Sequence, residues 1–381
     1  MAFDPPVDIG TLAPPVQRVI GPTAPAPLRM MAARGAVPGL RPDQIATAVA
    51  MFARADLPHV DAAVREVAEA TLVKLPAPIL QGAINSADTP PGVLDVLATL
   101  YSEDDVTLER ILLNAAVALT TVERLAREGT ERITELVATN EERLLANPSI
   151  IKNLYMNKRT RMSTADRVLD LAVRNGKQLE IPAYREATEA IVDELIAAPD
   201  AEPTPDDLLF AEAQAEAERL EAEGAATELV KEDDEGKEIV AEKAKSLEQR
   251  IREMTVSQKI RTAMLGTAAT RTILVRDKNR LVSAAVVRSP LLQENEAAAF
   301  AASRGVSDEV LRLIAQNGEL VKSHQIKFNL VSNPKTPIAI ALRLLGHLRS
   351  DELKKLAKSK NVSSQISKLA KQELDKKKPG T

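Results

Sequence analysis

The residues able to do chemistry are few and scattered. The chain holds three histidines, His59, His324 and His347. No two lie within helical reach, and none sits in the H-E-x-x-H spacing that turns two imidazoles to one helix face for zinc. Each is therefore expected to serve structure, and His347, near a helix end beside an apolar stripe, suits the carbonyl pole of that helix. There is no cysteine, which removes disulfides, thiolate metal sites, iron–sulfur clusters and cysteine nucleophiles. Gly266-Thr267-Ala268-Ala269-Thr270-Arg271 lacks the second glycine and the lysine of a phosphate-cradling loop, and neither G-x-G-x-x-G nor G-x-S-x-G occurs. The run Glu232-Asp233-Asp234-Glu235 lacks the alternating ligands of a calcium loop. Pairs such as Glu131 with Glu135, or Glu186 with Glu189, have the spacing of an ordinary solvated helix face and nominate no acid–base couple. The expectation is a non-enzymatic protein with no catalytic residue, no metal and no cofactor.

One chemical feature is patterned. Arg271, Arg276, Lys278 and Arg280 fall within ten residues, and Lys354, Lys355, Lys358 and Lys360 form a second group, with Lys335 between the two. A basic face attracts phosphates, an anionic lipid surface or an acidic protein. These nine side chains are the candidate partner-binding residues. The partner is expected to be a protein, with the phosphates of a nucleic-acid duplex as the alternative. Single-strand recognition by stacking needs aromatic platforms, and residues 255–378 offer only Phe300 and Phe328.

The elements that must position those cations can be read from composition and period. Aromatic residues make up 2% of the chain and hydrophobic residues 45%, so the core is built from Ala, Leu, Ile and Val, which suits close helix packing. The net charge of −4 conceals a division: residues 1–245 carry −17 and residues 246–381 carry +13, as expected of separate modules. The reading is all-α, an irregular α-solenoid of short helices in two modules joined by an acidic linker. Residues 1–28, with seven prolines, are expected as a disordered arm. Residues 29–197 form an acidic helical module, 198–245 a linker of charge −11, 246–374 a basic helical module and 375–381 a basic tail. With no apolar run approaching 18 residues and no basic, apolar leader, a cytoplasmic chain without a membrane span is expected.

Corner chemistry marks the helices. Thr120 with Glu123, Ser163 with Asp166, and Thr255 with Gln258 have capping-box spacing, while Gly129, Gly176 and Gly266 stand where helices close. Asn85, Asn114, Asn140, Asn157 and Asn175 each follow an apolar stretch, at uneven intervals, and asparagine both caps helices and tolerates left-handed backbone. In Asn333-Pro334-Lys335-Thr336-Pro337, Thr336 is the expected N-cap and Pro337 the first helical residue. Ala341, Leu344, Leu345 and Leu348 follow as one stripe, and Val287-Arg288-Ser289-Pro290 occupies the corner one unit earlier. This corner, its leucine-rich helix and the next helix at 351–359 resemble leucine-rich-repeat-variant and HEAT-like helical repeats, over residues 255–374 and more loosely over 80–176. The resemblance extends to bacterial helical-repeat proteins, and it implies a curved surface that binds protein or nucleic acid. A regulatory expectation accompanies it: the acidic segment folds back on the basic module and screens it until a partner displaces it.

Overall fold

The computed structural model describes residues 3–54, 57, 59–192, 196, 202–224, 229–232, 238–359 and 362–377. The chain is all-α. Among the described residues there are 24 α-helices, from 6 residues (Glu141–Ala146) to 18 (Pro205–Ala222), and a single two-stranded antiparallel hairpin. No described helix is long and apolar enough to cross a membrane. The chain divides into two compact units, Met1–Arg161 and Met162–Thr381. The boundary thus falls between Arg161 and Met162, well before the acidic segment.

Rows of helices pack on their second neighbours. In the first unit, helix Pro42–Phe52 packs on Ala77–Asn85, which packs in turn on Asp105–Leu113 and that on Glu131–Ala138. In the second unit two such rows run side by side. Val256–Leu265, Arg280–Arg288 and Asp308–Gln316 form one row, and Ala268–Leu274, Glu294–Ala302 and His324–Ser332 form the other. This alternation is compatible with a helical repeat. Small residues such as Ala263, Ala269, Ala285, Ala297 and Ala301 are buried at the contacts, which lets the axes approach closely.

Three asparagines tie successive turns together by one recurrent device. Asn114 donates Nδ2 to the carbonyls of Ile84 (2.7 Å) and Ser86 (3.0 Å) and accepts from the Ala116 N–H (2.8 Å). Asn157 does the same with Ala126 (3.0 Å), Gly129 (3.1 Å) and Arg159 (2.9 Å). Asn333 repeats it with Ala301 (2.9 Å), Ser303 (2.8 Å) and Lys335 (3.0 Å). Each buried amide satisfies carbonyls left over at an earlier helix end. At Ser289 a hydroxyl takes the place of the amide, donating to Met264 O and accepting from Leu291 N, both at 3.3 Å. The other asparagines do different work: Asn85 ends its helix, Asn140 caps the next by accepting from Arg143 N (2.9 Å), and Asn175 bonds back to Leu171 O (2.8 Å). Asn157→Ala should therefore cost roughly 2 kcal/mol, because two buried carbonyls lose their donor. Urea unfolding would measure it, and a loss near zero would show the device to be dispensable.

Several expectations are corrected. The proline-rich arm is ordered from residue 3: helices Pro14–Ile20 and Ala26–Ala33 place prolines in their first turns and bury Val16, Val19, Ile20, Ala32 and Ala33. Proline costs no donor there. Helix Leu119–Glu128 starts ahead of Thr120, with Ala118 at its N-cap, and Gly129 closes it. Helix Met162–Arg174 starts ahead of Ser163, and Asp166 accepts from Ser257 Oγ (2.6 Å). Helix Ile338–Leu345 begins one residue later than expected, with Pro337 as N-cap; its Ala341, Leu344 and Leu345 are buried, as is Leu348 beyond its end. The Thr255–Gln258 capping box is present. In the tail, helix Ser364–Lys377 continues through Lys376, which bonds Glu373 (2.7 Å); Lys378 lies outside the described residues.

The largest correction is the acidic segment. Helix Pro205–Ala222 packs on Met162–Arg174, Ala268–Leu274 and Lys245–Glu253, burying Phe210, Ala213, Ala217 and Leu220. The Arg261 guanidinium, itself fully buried, stacks 5.0 Å above the Phe210 ring. Strands β1 (Val230–Glu232) and β2 (Glu238–Val240) follow, pairing Val230 with Val240 and Glu232 with Glu238. The described part of 198–245 is thus built into the second unit rather than linking two bodies. Residues 233–237, the heart of the acidic run, lie outside the described residues.

Candidate partner-binding site

The site grows from helix Ala268–Leu274 and the residues that follow it. Arg271 turns inward. Its Nε and Nη2 meet Glu296 Oε1 and Oε2 at 2.9 and 3.0 Å, and Nη1 donates to Gly266 O at 2.7 Å. Both side chains are more than nine-tenths buried. Glu296 also accepts from Gln293 N (2.9 Å), capping helix Glu294–Ala302. A planar, two-point pair of this kind satisfies most of its donors and acceptors internally. Arg271, expected on the partner-facing surface, is instead a fixed strut joining two helices.

Arg276, just beyond that helix, reaches the surface and finds a carboxylate there. Its Nε and Nη2 donate to Glu238 Oε2 at 2.9 and 2.6 Å, Nη2 also reaches Ser303 Oγ (3.2 Å), and Nη1 is anchored on Thr272 O (2.5 Å). Ser303 Oγ donates to the same Glu238 Oε2 at 2.6 Å, and the Arg304 N–H donates to Oε1 at 2.9 Å. Gly305 closes the ring. A Cβ there would stand 2.7 Å from Glu238 Oε2 and 3.1 Å from Arg276 Nε, so a side chain there would require the carboxylate to shift. Burial pushes the Glu238 carboxyl up, but hydrogen bonds from Ser303 and Arg276 and the Arg276 charge outweigh it, leaving it below the ordinary glutamate value.

Two cavities flank the hairpin that carries Glu238. One, about 580 Å³, lies against β1 and is lined by Ala268, Thr272, Arg276, Asn295, Ala299 and Phe300 among others. The second, about 770 Å³, lies against β2 and is lined by Lys245, Arg252, Lys259, Arg276 and Lys278 beside Asp277 and Glu248. In this second cavity Lys259 pairs with Asp277 (3.2 Å) and Arg252 with Glu248 (2.8 Å), while Lys278 has no ion pair among the described residues.

Of the nine candidate cations, the structure brings Arg276 and Lys335 to the two sides of one turn, residues 303–306. Lys335, in the Asn333 corner, donates Nζ to Val306 O at 3.1 Å and is otherwise exposed. Lys278 and Arg280 are exposed beyond Arg276. Lys354, Lys355 and Lys358 are exposed on helix Ser350–Lys358 and line neither cavity. Lys360 lies outside the described residues. Sequence reasoning missed Glu238, Ser303, Arg304 and Gly305. The hairpin had a signal in Leu229-Val230 and Ile239-Val240, two short apolar runs separated by a polar stretch. The Ser-Arg-Gly turn had none beyond its glycine.

No family model matches the chain, and no significant similarity to a curated protein or to a solved structure was found.

Proposed function

We propose that this protein is a cytoplasmic, non-enzymatic scaffold or adaptor, an irregular α-solenoid of the leucine-rich-repeat-variant or HEAT-like kind that binds a protein partner through the repeat surface of its second unit. The observation that carries the reading is the turn at 303–306. Successive repeat corners set Arg276 on one side of it and Lys335 on the other, with Arg304 exposed between them and a cavity alongside. Helical repeats bind by presenting such corner residues along a continuous face, and arginine in a preformed setting recognises carboxylates with directional bonds. Lys278, Arg280, Lys354, Lys355 and Lys358 add positive potential that would speed encounter with an acidic partner.

The full chain and a variant carrying Lys278→Glu, Arg280→Glu, Lys335→Glu and Lys355→Glu are to be purified from native cells after nuclease treatment, and co-purifying proteins quantified. The scaffold reading expects a defined protein that survives nuclease and is depleted about ten-fold or more in the variant, as loss of about 1.4 kcal/mol or more of binding would give. Nuclease-sensitive capture would favour duplex binding through phosphates. Identical protein recovery from both chains would remove the basic face from the account.

A further inference from the structure

The ring that holds Glu238 is assembled without help from the hairpin. Arg276 is anchored by its bond to Thr272 O, Ser303 is fixed through its carbonyl by Asn333 Nδ2 (2.8 Å), and the Gly305 N–H bonds Ser303 Oγ (3.1 Å). All of these partners belong to helices and corners of the repeat rows. The donors would therefore converge on the same point with Glu238 withdrawn. Two guanidinium N–H groups, one hydroxyl and one backbone N–H then face a space sized for a carboxylate by Gly305. A preorganised donor set of this kind binds an anion without reorganising.

The hairpin that fills it is slight by comparison. Each strand is three residues long, a length that needs packing against something larger to persist. A cavity lies against each strand, and Ile239, on the strand that carries Glu238, is 46% exposed. Leu229 and Ala241 are buried at its base, joined by Ala241 N to Leu229 O (2.8 Å). The hairpin is thus rooted at its base, and above the base Glu238 ties its second strand to the repeat rows.

We infer that the Arg276, Ser303, Arg304 and Gly305 ring is a receiving site for a glutamate or aspartate in an extended acidic segment of a protein partner, and that Glu238 occupies it as an internal stand-in until that segment displaces it. The inference rests on the protein-partner reading above and adds the chemistry of the contact. The cavity beside β1 would take the residues flanking the incoming carboxylate, apolar ones against Ala268, Ala299 and Phe300 and a polar one near Asn295. Because the stand-in is covalently tethered, its local concentration holds the site closed against weak anions. Only a segment that adds contacts in the cavity to its carboxylate would compete.

The probe is a fluorescein-labelled peptide with the sequence of residues 229–241, alongside the same peptide with glutamine in place of glutamate at position 238. Each is titrated by anisotropy against the full chain, Glu238→Ala, and Glu238→Ala with Arg276→Ala, while hydrogen exchange follows amides of residues 229–241, 268–274 and 294–302. The glutamate peptide should bind Glu238→Ala about ten-fold more tightly than it binds wild type, and about ten-fold more tightly than the glutamine peptide does, the scale of a set of charge-assisted hydrogen bonds. Adding Arg276→Ala should abolish that gain. Exchange should rise in the hairpin and stay unchanged in both helices. Equal binding to wild type and Glu238→Ala, equal binding of the two peptides, or loss of helix protection in Glu238→Ala would each overturn the inference and leave the hairpin as plain structure. Gained binding of a duplex oligonucleotide in place of the peptide would overturn it as well. The outcome is independent of partner recovery from cells, so failure here and failure of the scaffold reading are told apart.

Discussion

Arg271→Ala should destabilise the second unit by about 3–5 kcal/mol, the cost of leaving a buried carboxylate without its partner. The removed guanidinium makes two bonds to Glu296 and one to Gly266 O, all at 3.0 Å or less. Truncation strands Glu296 at 8% exposure and frees a helix-end carbonyl. Replacing both partners by apolar residues, Arg271→Met with Glu296→Leu, should restore much of the loss, because desolvation of the pair offsets most of its Coulombic gain. Urea unfolding of the single and double variants checks both statements. A loss below about 1 kcal/mol for Arg271→Ala, the range of exposed pairs, would mean the side chain is far more hydrated than its surroundings imply. The prediction bears on function too. A partner-contacting arginine would lose binding without losing stability, and Arg271 should do the opposite.

Asp207→Ala should cost about 2–4 kcal/mol, since one side chain caps two helices and each lost cap contributes about 1–2 kcal/mol. Its Oδ2 accepts from Thr204 N and Oγ1, both at 2.8 Å, in the capping box of helix Pro205–Ala222. The same carboxylate accepts from Ser163 N (2.8 Å) and Ser163 Oγ (3.0 Å), capping helix Met162–Arg174 across the interface. Burial raises this carboxyl, but backbone and hydroxyl hydrogen bonds from Ser163 and Thr204 outweigh it and hold it below the ordinary aspartate value. A folded-state value below the unfolded one means that the stabilisation is present above the unfolded aspartate range and is lost as pH falls through the lowered value. The gap in stability between wild type and Asp207→Ala should therefore be full at neutral pH and shrink only in acid. Chemical denaturation at a series of pH values measures it, and a gap that does not change with pH would contradict the role given to the charge. The same geometry predicts that deleting residues 201–242 to expose the basic face would unfold the second unit, because the excised helix contributes the buried Phe210 and Leu220 and carries Asp207.

What could be read from sequence followed from local chemistry. Helices with a strong period, such as the one carrying Ala341, Leu344 and Leu345, were legible because core and surface residues alternate at 3.6. The Thr255–Gln258 box was legible because both halves of the cap lie within four residues. Residues 205–222 were misread because their buried stripe is Phe210, Ala213, Ala217 and Leu220, and alanine carries little hydrophobic signal even where it makes the contact. The proline-rich start was misread because proline breaks a helix in its interior and begins one at its first turn. Sequence distinguishes these only when the downstream stripe is weighed, here Val16, Val19 and Ile20. Uneven asparagine spacing hid the recurrent device because Asn140 and Asn175 serve their own helices, whereas Asn114, Asn157 and Asn333 reach back about one repeat. The candidate site could not be assembled from sequence at all. Glu238 meets Arg276 and Ser303 across 38 and 65 residues, and charge counting placed the acid in a linker and the base on a free face. Their pairing is a tertiary fact, made between residues far apart in the chain.

The central claim is that the repeat surface around Arg276 and Lys335 meets a protein. A photo-crosslinking amino acid placed at Lys278, which borders the cavity beside β2, and separately at exposed Glu66 on helix Ala62–Val73 of the first unit, tests it in living cells. The account predicts a discrete, nuclease-resistant crosslinked protein from position 278, lost when Arg276→Ala is added and absent from position 66. Nucleic acid crosslinked at 278, or the same proteins recovered from both positions regardless of Arg276, would contradict it.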